Sequence, residues 1–315
     1  MASIKVKPLQ ADLPFGARIA GVTAASLDDP AIRQQINDVF EDRGMIVFEN
    51  VEQTAGMQVK LSTVFGPLKD HPVKIVERLD QKAMPGVITI RTDPGMAVVE
   101  IEGKQLMTWQ PWHFDHSYNN ELNRAGVLRA EKIASKDGMT AFADGIQIYR
   151  DMAPDFRRKI EDEMIIYTLD QRFSQMRFGR PKSFNIIREK GNEILKIAAS
   201  MPRALHPAVW LRESGEKVFH ASPYGCYGIL GNETPEGDKL LAEVWDAAEA
   251  AMKIYYHSWS PTDMLVWDNW RMLHAACGCD PNDERVMHRT TIKGDYGFGR
   301  WETEPKTEAS ADAMS

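Results

Sequence analysis

Apolar and polar residues follow two periods along this chain, and together they predict a β-rich fold with a few helices. Asp29 and Pro30 are residue types that start helices, and the helix that follows them should end near Gly44. A second helix is predicted over residues 58–65. The clearest amphipathic helix is predicted over residues 236–255, where large apolar side chains recur on one face.

Short apolar runs bounded by turn residues predict many strands. The predicted strands cover residues 45–48, 87–91, 98–101, 127–133, 139–143, 264–267 and 286–292. Strands and helices do not alternate regularly, and no glycine-rich fingerprint follows a strand, which argues against a doubly wound fold. We therefore expect a mainly β protein with decorating helices, built as a double-stranded β-helix, the cupin-like jelly roll.

The chain shows no internal repeat and no linker, so residues 1–303 are predicted to form one domain. Residues 164–206 are mixed and polar, with little periodicity. A long segment of this kind between strands often carries function, and we interpret it as a lid or insertion. Residues 304–315 are polar and are predicted to form a disordered tail.

Composition narrows the function classes. The net charge is −7 and no block of Lys and Arg stands out, so a nucleic-acid partner is not expected. No run of about 18 apolar residues predicts a membrane span. Three cysteines and no secretory signal indicate a reducing compartment, and we expect the cytoplasm. The expected partner is a small-molecule substrate, and a homo-oligomer with an even number of subunits would be ordinary.

His113 and Asp115 give the first indication of chemistry. Side chains two residues apart in an extended segment point to the same side, so these two can bind one metal ion. Two histidines and one carboxylate, with coordination positions left open, are typical of non-haem iron(II) oxygenases. The pair alone is a weak signal. The neighbouring His116 competes as a ligand, but it should face the other way, and we expect either a hydrogen-bonded histidine behind the ligands or a surface histidine there.

A second set of residues lies near the end of the chain. A buried strand leads to a turn at residues 268–269, and the next strand carries His274, the candidate third ligand. Arg289 follows Arg285 by four residues, so both side chains should project from one face of their strand. Arginines in a buried strand need anions, and the planar guanidinium suits a carboxylate. A dicarboxylic co-substrate would supply one.

Several sequence blocks occur in the order typical of one enzyme family. They are residues 16–22, 44–48, 65–68, 112–115, 138–144, 265–269 with His274, and Arg285 followed by residues 288–289 and 292–295. With these blocks the chain resembles the taurine dioxygenase and chlorophenoxyacetate dioxygenase family of 2-oxoglutarate-dependent oxygenases, from about Pro8 to Tyr296. The resemblance implies Fe(2+) as the metal and 2-oxoglutarate and O₂ as co-substrates, with succinate and CO₂ released.

The resemblance also implies residue roles. The iron ligands would be His113, Asp115 and His274. Thr140 and Arg285 would hold the distal carboxylate of 2-oxoglutarate, and Arg289 would contact either the co-substrate or an anionic substrate. His71 stands where taurine dioxygenase has a substrate-binding histidine. Lys69 and Trp109 depart from the pattern of that enzyme, which places the substrate in question but not the chemistry.

Aromatic residues around the metal segment suggest the kind of substrate. Trp109, Trp112 and Tyr118 could form apolar walls, while His71 and Arg289 offer a polar end. We expect at least half of such aromatic residues to serve core packing. The combination favours a small, anionic organic acid with a hydrophobic body. The family resemblance implies that it is hydroxylated or desaturated at an unactivated C–H bond.

Three other functions are compatible with part of this pattern. A halogenase of the same superfamily would lack the metal carboxylate, but Asp115 is present. A cupin-like binding protein without catalytic activity would not need Thr140, Arg285 and a complete triad together. A zinc hydrolase could use the same three ligands, but it would need a general base near the metal and not the two arginines.

Overall fold

The computed structural model describes residues 4–71, 73, 76–80, 82, 84–189, 191 and 193–304. The helices are α1 Pro30–Arg43, α2 Ala55–Ser62, α3 Gly145–Asp151, α4 Pro154–Ile160, α5 Glu193–Ser200 and α6 Pro235–Ala251. The strands of the first half are β1 Lys5–Pro8, β2 Ala17–Ala20, β3 Met45–Glu49, β4 Leu68–Lys69, β5 Arg78–Asp80, β6 Met84–Arg91, β7 Val98–Ile101, β8 Lys104–Met107, β9 Gln110–His113, β10 Ala125–Lys132 and β11 Thr140–Asp144. Those of the second half are β12 Met164–Tyr167, β13 Phe184–Arg188, β14 Ala204–Pro207, β15 Val209–Leu211, β16 Lys217–Phe219, β17 Cys226–Ile229, β18 Tyr255–His257, β19 Met264–Asp268, β20 Met272–Ala276, β21 Val286–Ile292 and β22 Arg300–Trp301.

Two sheets form the centre of the protein. The larger has nine strands in the order β1-β2-β3-β19-β10-β21-β6-β5, with β4 added on β21. The smaller has four strands in the order β18-β11-β20-β9. One apolar cluster contains Trp267 and Met287 from the large sheet and Phe142 from the small one, so the two sheets face each other across it. The predicted mainly β architecture with decorating helices is confirmed.

The ends of helix α1 follow the predicted signals. The Asp29 side chain accepts a hydrogen bond from the Ala31 N–H at 2.9 Å, and Pro30 occupies the first helical position. Gly44 ends the helix in the left-handed region at φ 73°. Ile32, Ile36 and Phe40 are buried on one face, as helical spacing requires. This helix covers the large sheet on the side away from the small one.

Two other helices differ from the predicted boundaries. Helix α2 begins at Ala55 because the Thr54 hydroxyl caps it, accepting from the Met57 N–H at 3.1 Å. Helix α6 ends at Ala251, four residues earlier than predicted. Met252 adopts an extended ψ of 130°, and Tyr255 starts β18 of the small sheet. Apolar spacing alone did not separate the helix from the strand that follows it.

The segment 164–206, predicted as a lid or insertion, contains both buried and outlying elements. Its two ends are β12 and β14, which pair with each other inside a further four-stranded sheet, β17-β12-β14-β22. Between them, β13 pairs with β7, and α5 follows. Its function as a lid stays a prediction. Of the predicted tail, residues 305–315 lie outside the described part of the chain.

All three cysteines, Cys226, Cys277 and Cys279, are free thiols. Within the described part of the chain, no helix combines the length and the apolar character that crossing a membrane requires.

Candidate active site

Strand β9 lies at the edge of the small sheet, where a proline can be tolerated at Pro111. The strand ends at His113, and both His113 and Asp115 are buried. His113 Nδ1 lies 2.7 Å from the Pro111 carbonyl oxygen, so this nitrogen carries the proton and donates it. The ring is then a neutral imidazole whose Nε2 carries the lone pair, the form in which a histidine binds a metal.

His274 reaches the same point through strand pairing. Strand β20 lies next to β9, and His274 is the register partner of His113, with ring centroids 4.1 Å apart. His274 Nε2 lies 3.8 Å from Asp115 Oδ1. One ligand atom from each of the three residues lies within 4.8 Å of the other two. The structure thus brings together the three residues that the sequence singled out as metal ligands.

The electrostatics of this cluster suit a divalent cation. Burial raises the pKa of Asp115, but Arg289 and the surrounding imidazoles outweigh it and hold that pKa well below its ordinary value. Burial is the main cause that lowers the pKa of His274 well below its ordinary value, and the neighbouring His113 lowers it further. The set therefore offers one carboxylate and two neutral imidazoles. Among the described residues, Asp115 Oδ2 has no hydrogen-bond partner, so this carboxylate oxygen remains available to a metal.

A cavity of about 140 Å³ opens beside these ligands, between the two sheets. Strand β21 directs Arg289 into it, and the residue just before that strand, Arg285, also lines it, as the spacing of four predicted. Arg289 Nη1 lies 2.6 Å from Asp115 Oδ1. Arg285 is buried, and no ion pair joins it to any residue within the described ranges. Burial lowers its pKa, as expected for a cation without a nearby anion.

Thr140 lines the same cavity from the small sheet. Its hydroxyl accepts a hydrogen bond from Trp259 Nε1 at 3.2 Å, which fixes the position of the oxygen. Trp259 lies in the loop after β18, and nothing in its sequence context indicated this contact. Thr140 and Arg285 are 145 residues apart in sequence, but they line one cavity because β11 and β21 belong to the two facing sheets.

The residues predicted to contact substrate separate into three places. Trp109 lines the cavity and packs on Phe173 and Phe184 at ring distances of 5.3 Å. Trp112 packs against the apolar cluster on the other side of the strand, because it is one residue from His113. The structure does not bring it to the metal cluster.

His71 and Tyr118 lie near Asp115 but not in the lining of that cavity. Burial and the nearby Arg289 lower the pKa of His71 to about 4. Tyr118 packs with Val73 and Leu169 under the predicted lid.

His116 is not in the ligand set, as expected, and it lies beside the ligands, but the expected hydrogen bond or surface position is not found within the described ranges. This residue is buried, and neither ring nitrogen has a hydrogen-bond partner among the residues that the structure describes. Its backbone has a φ of 61°, so the chain is not a regular strand there and simple alternation does not apply. The ring lies edge-on to His71 at 5.0 Å and 5.8 Å from the Tyr118 ring. His116 therefore belongs to the polar surroundings of the candidate site.

The profile of the "Taurine catabolism dioxygenase TauD, TfdA family" matches residues 5–291. The chain belongs to this family. It is 28% identical over 289 residues to the (S)-phenoxypropionate/alpha-ketoglutarate-dioxygenase of Sphingobium herbicidovorans, covering 90% of this chain and 93% of the relative. It is 24% identical to the alpha-ketoglutarate-dependent 2,4-dichlorophenoxyacetate dioxygenase of a Burkholderia strain, covering 84% and 86%.

Solved structures agree on the fold. A taurine dioxygenase from Burkholderia xenovorans superposes with a TM-score of 0.70 at 22% identity, over 99% of this chain and 98% of that one. The jelly-roll prediction is thereby confirmed. As a TauD/TfdA family member, the protein is a 2-oxoglutarate-dependent non-haem iron dioxygenase, and it uses Fe(2+), 2-oxoglutarate and O₂. The alternative of a cupin-like binding protein without catalytic activity is not favoured.

Proposed function

We propose that His113, Asp115 and His274 hold the iron of this dioxygenase. The observation that carries the assignment is the convergence of their three ligand atoms within 4.8 Å at a buried position. Two neutral imidazoles and one carboxylate leave coordination positions for other groups, as a reaction with O₂ requires. Bound iron would supply the oxidising chemistry at a C–H bond of the substrate. The protein orients the reactants and excludes water from the buried site.

Arg285 and Thr140 are proposed to hold the distal carboxylate of 2-oxoglutarate. Both line the cavity next to the metal cluster, and the Arg285 guanidinium is buried there without an ion-pair partner in the described part of the chain. A carboxylate would neutralise the guanidinium and accept its two parallel hydrogen bonds. The Thr140 hydroxyl, already accepting from Trp259, can still donate one.

For the primary substrate, we propose a small organic acid with a hydrophobic body. Arg289 and the half-buried Lys69 supply positive charge on the side of Asp115 where His71 and His116 lie. Tyr118 packs there in an apolar cluster with Val73 and Leu169. Relatives of this chain are phenoxypropionate and 2,4-dichlorophenoxyacetate dioxygenases, whose named substrates combine an acid with an aromatic ring. The reaction is hydroxylation or desaturation of an unactivated C–H bond.

Succinate release can be screened over aryloxy acids, other carboxylates, sulfonates and sulfate esters. Stimulation by aryloxy acids and not by their methyl esters is the expected result. Stimulation by the esters as well would argue against recognition of the acid. The metal assignment has its own test: Asp115→Ala and His274→Ala should each abolish turnover and weaken binding of Mn(II), measured by electron paramagnetic resonance. Normal turnover in either variant would refute it.

We further propose that the enzyme acts in the cytoplasm, a prediction supported by its three free cysteines. Assembly into a homo-oligomer also stays a prediction, and analytical ultracentrifugation of the purified protein tests it.

A further inference from the structure

The backbone around Asp115 needs partners that its own strand does not provide. Strand β9 ends at His113, so Asp115 lies two residues beyond the last position with a strand neighbour. Asp115 is nevertheless buried. A buried backbone N–H or C=O without a hydrogen bond is costly, and it would leave the segment free to move.

Asn269 supplies both partners. Its Oδ1 accepts a hydrogen bond from the Asp115 N–H at 2.7 Å, and its Nδ2 donates to the Asp115 carbonyl at 3.0 Å. The side-chain amide thus pairs with both backbone groups of one residue, as the opposite residue of an antiparallel strand would. Nδ2 also donates to the carbonyl and the side-chain oxygen of Asn123, at 3.2 and 3.1 Å, so the orientation of the amide is determined.

The turn that carries Asn269 is itself held firmly. The Asp268 N–H donates to the Gly44 carbonyl at 2.7 Å, and Arg271 forms a two-point ion pair with Asp144 at 2.9 Å for each bond. The carbonyl of Asn269 accepts a hydrogen bond from His220 Nε2 at 2.9 Å. Asn269 is fully buried, so water does not compete for these bonds.

His220 connects this turn to Phe114, the residue between the ligands His113 and Asp115. Its ring stacks on Phe114, with centroids 3.9 Å apart and an interplanar angle of 22°. The same turn continues into β20, which carries His274. Asn269 therefore connects the segment of one ligand directly to the strand of another.

We propose that Asn269 is a positioning residue for the metal centre, setting Asp115 relative to His274 through the backbone of Asp115. The inference rests on the proposed iron site. Partners that orient metal ligands contribute strongly to metal affinity, and their loss commonly weakens binding about 10- to 100-fold. Asn269 binds the main chain of the ligand residue and not its side chain, and we expect its removal to weaken metal binding by a factor in the same range.

The test measures Mn(II) and Co(II) affinity of the full chain, well below the unfolding temperature, for wild type, Asn269→Ala and Gln147→Ala. Gln147 is a matched control: it is also fully buried, and its amide donates to the Ala251 carbonyl and accepts from the Lys253 N–H, at the α3–α6 contact. Both variants should lose thermal stability. Only Asn269→Ala should lose metal affinity, by about 10- to 100-fold.

Should Asn269→Ala fail to fold, Asn269→Leu replaces it. Leucine keeps the branched shape of the side chain without charge, and it can neither accept a hydrogen bond from Asp115 nor donate one to it. Wild-type metal affinity in the folded Asn269 variant, together with a lowered unfolding temperature like that of Gln147→Ala, would mean that Asn269 is only structural, and the inference would be overturned.

Asp115→Ala separates this outcome from failure of the iron site itself. If that variant also binds Mn(II) like wild type, then the iron assignment is wrong and the inference falls with it. If Asp115→Ala loses binding and the Asn269 variant keeps it, then only the role of Asn269 is refuted.

Discussion

Arg285 offers a prediction with opposite consequences for the free and the liganded protein. The guanidinium is buried, and no ion pair connects it to any other described residue. A buried ion without a partner carries a desolvation cost of several kcal/mol, which its removal would relieve. We therefore expect Arg285→Met to leave the free energy of unfolding of the ligand-free protein unchanged or raised.

The same substitution should weaken 2-oxoglutarate binding. A hydrogen bond to a charged group contributes about 1.5–3 kcal/mol, which corresponds to roughly a 10- to 150-fold change in the dissociation constant. Ligand present at 100 times the wild-type dissociation constant stabilises the fold by about 2.7 kcal/mol. For a variant that binds 100-fold more weakly, the stabilisation at that concentration falls to about 0.4 kcal/mol.

Denaturant unfolding under anaerobic conditions with Mn(II), with and without 2-oxoglutarate, measures both quantities. Arg271→Met is the matched control, because Arg271 is also buried but is paired with Asp144 at 2.9 Å. Its loss leaves an unpaired buried carboxylate and should cost about 3–5 kcal/mol. The reasoning is refuted if Arg285→Met destabilises the free protein as Arg271→Met does, or if it keeps the full 2-oxoglutarate effect.

Further expectations concern stability, acid pH and the two tryptophans near the metal segment. Gly44→Ala should lower the unfolding free energy by about 1–2 kcal/mol, because φ is 73° there and a Cβ would lie 3.0 Å from Arg271 Nε; an unchanged denaturation midpoint would contradict this. Burial lowers the pKa of His206 from 6.5 to about 4, so the unfolded chain binds a proton at a higher pH than the folded protein does. The unfolding free energy should therefore fall as the pH drops from 6.5 towards 4, by up to about 3 kcal/mol. Urea titrations should show a shallower pH dependence in His206→Gln, and an identical slope would exclude the effect. Trp112→Ala should lower the unfolding free energy by about 3 kcal/mol and leave the KM values for 2-oxoglutarate and for the primary substrate unchanged. Trp109→Ala should raise at least one of these two KM values in the succinate assay. The reverse pattern would show that the two tryptophans are wrongly placed.

Local sequence was sufficient for features that depend on neighbours along the chain. Asp29, Pro30 and Gly44 marked the ends of α1, since capping and backbone preference act within a few residues. The spacing of two between His113 and Asp115, and of four between Arg285 and Arg289, predicted which side chains share a face. Strand alternation is a local geometric property, so both predictions needed no knowledge of the fold.

Other features depended on which strands become neighbours, and that is settled by packing across the whole chain. The register of β9 against β20 places His274 beside His113, and the facing of the two sheets brings Thr140 and Arg285 to one cavity. The left-handed backbone at His116 ends the strand alternation from which the orientation of that side chain was predicted.

The two hydrogen bonds between Asn269 and the backbone of Asp115 could not be predicted from the sequence either, although the turn at residues 268–269 could. The two residues are 154 positions apart, and only the closed pair of sheets brings them within hydrogen-bond distance. The sequence by itself determined the residue types and the local faces of the site. Tertiary structure decided which faces meet, because long-range contacts form only where burial of the whole apolar core makes them favourable.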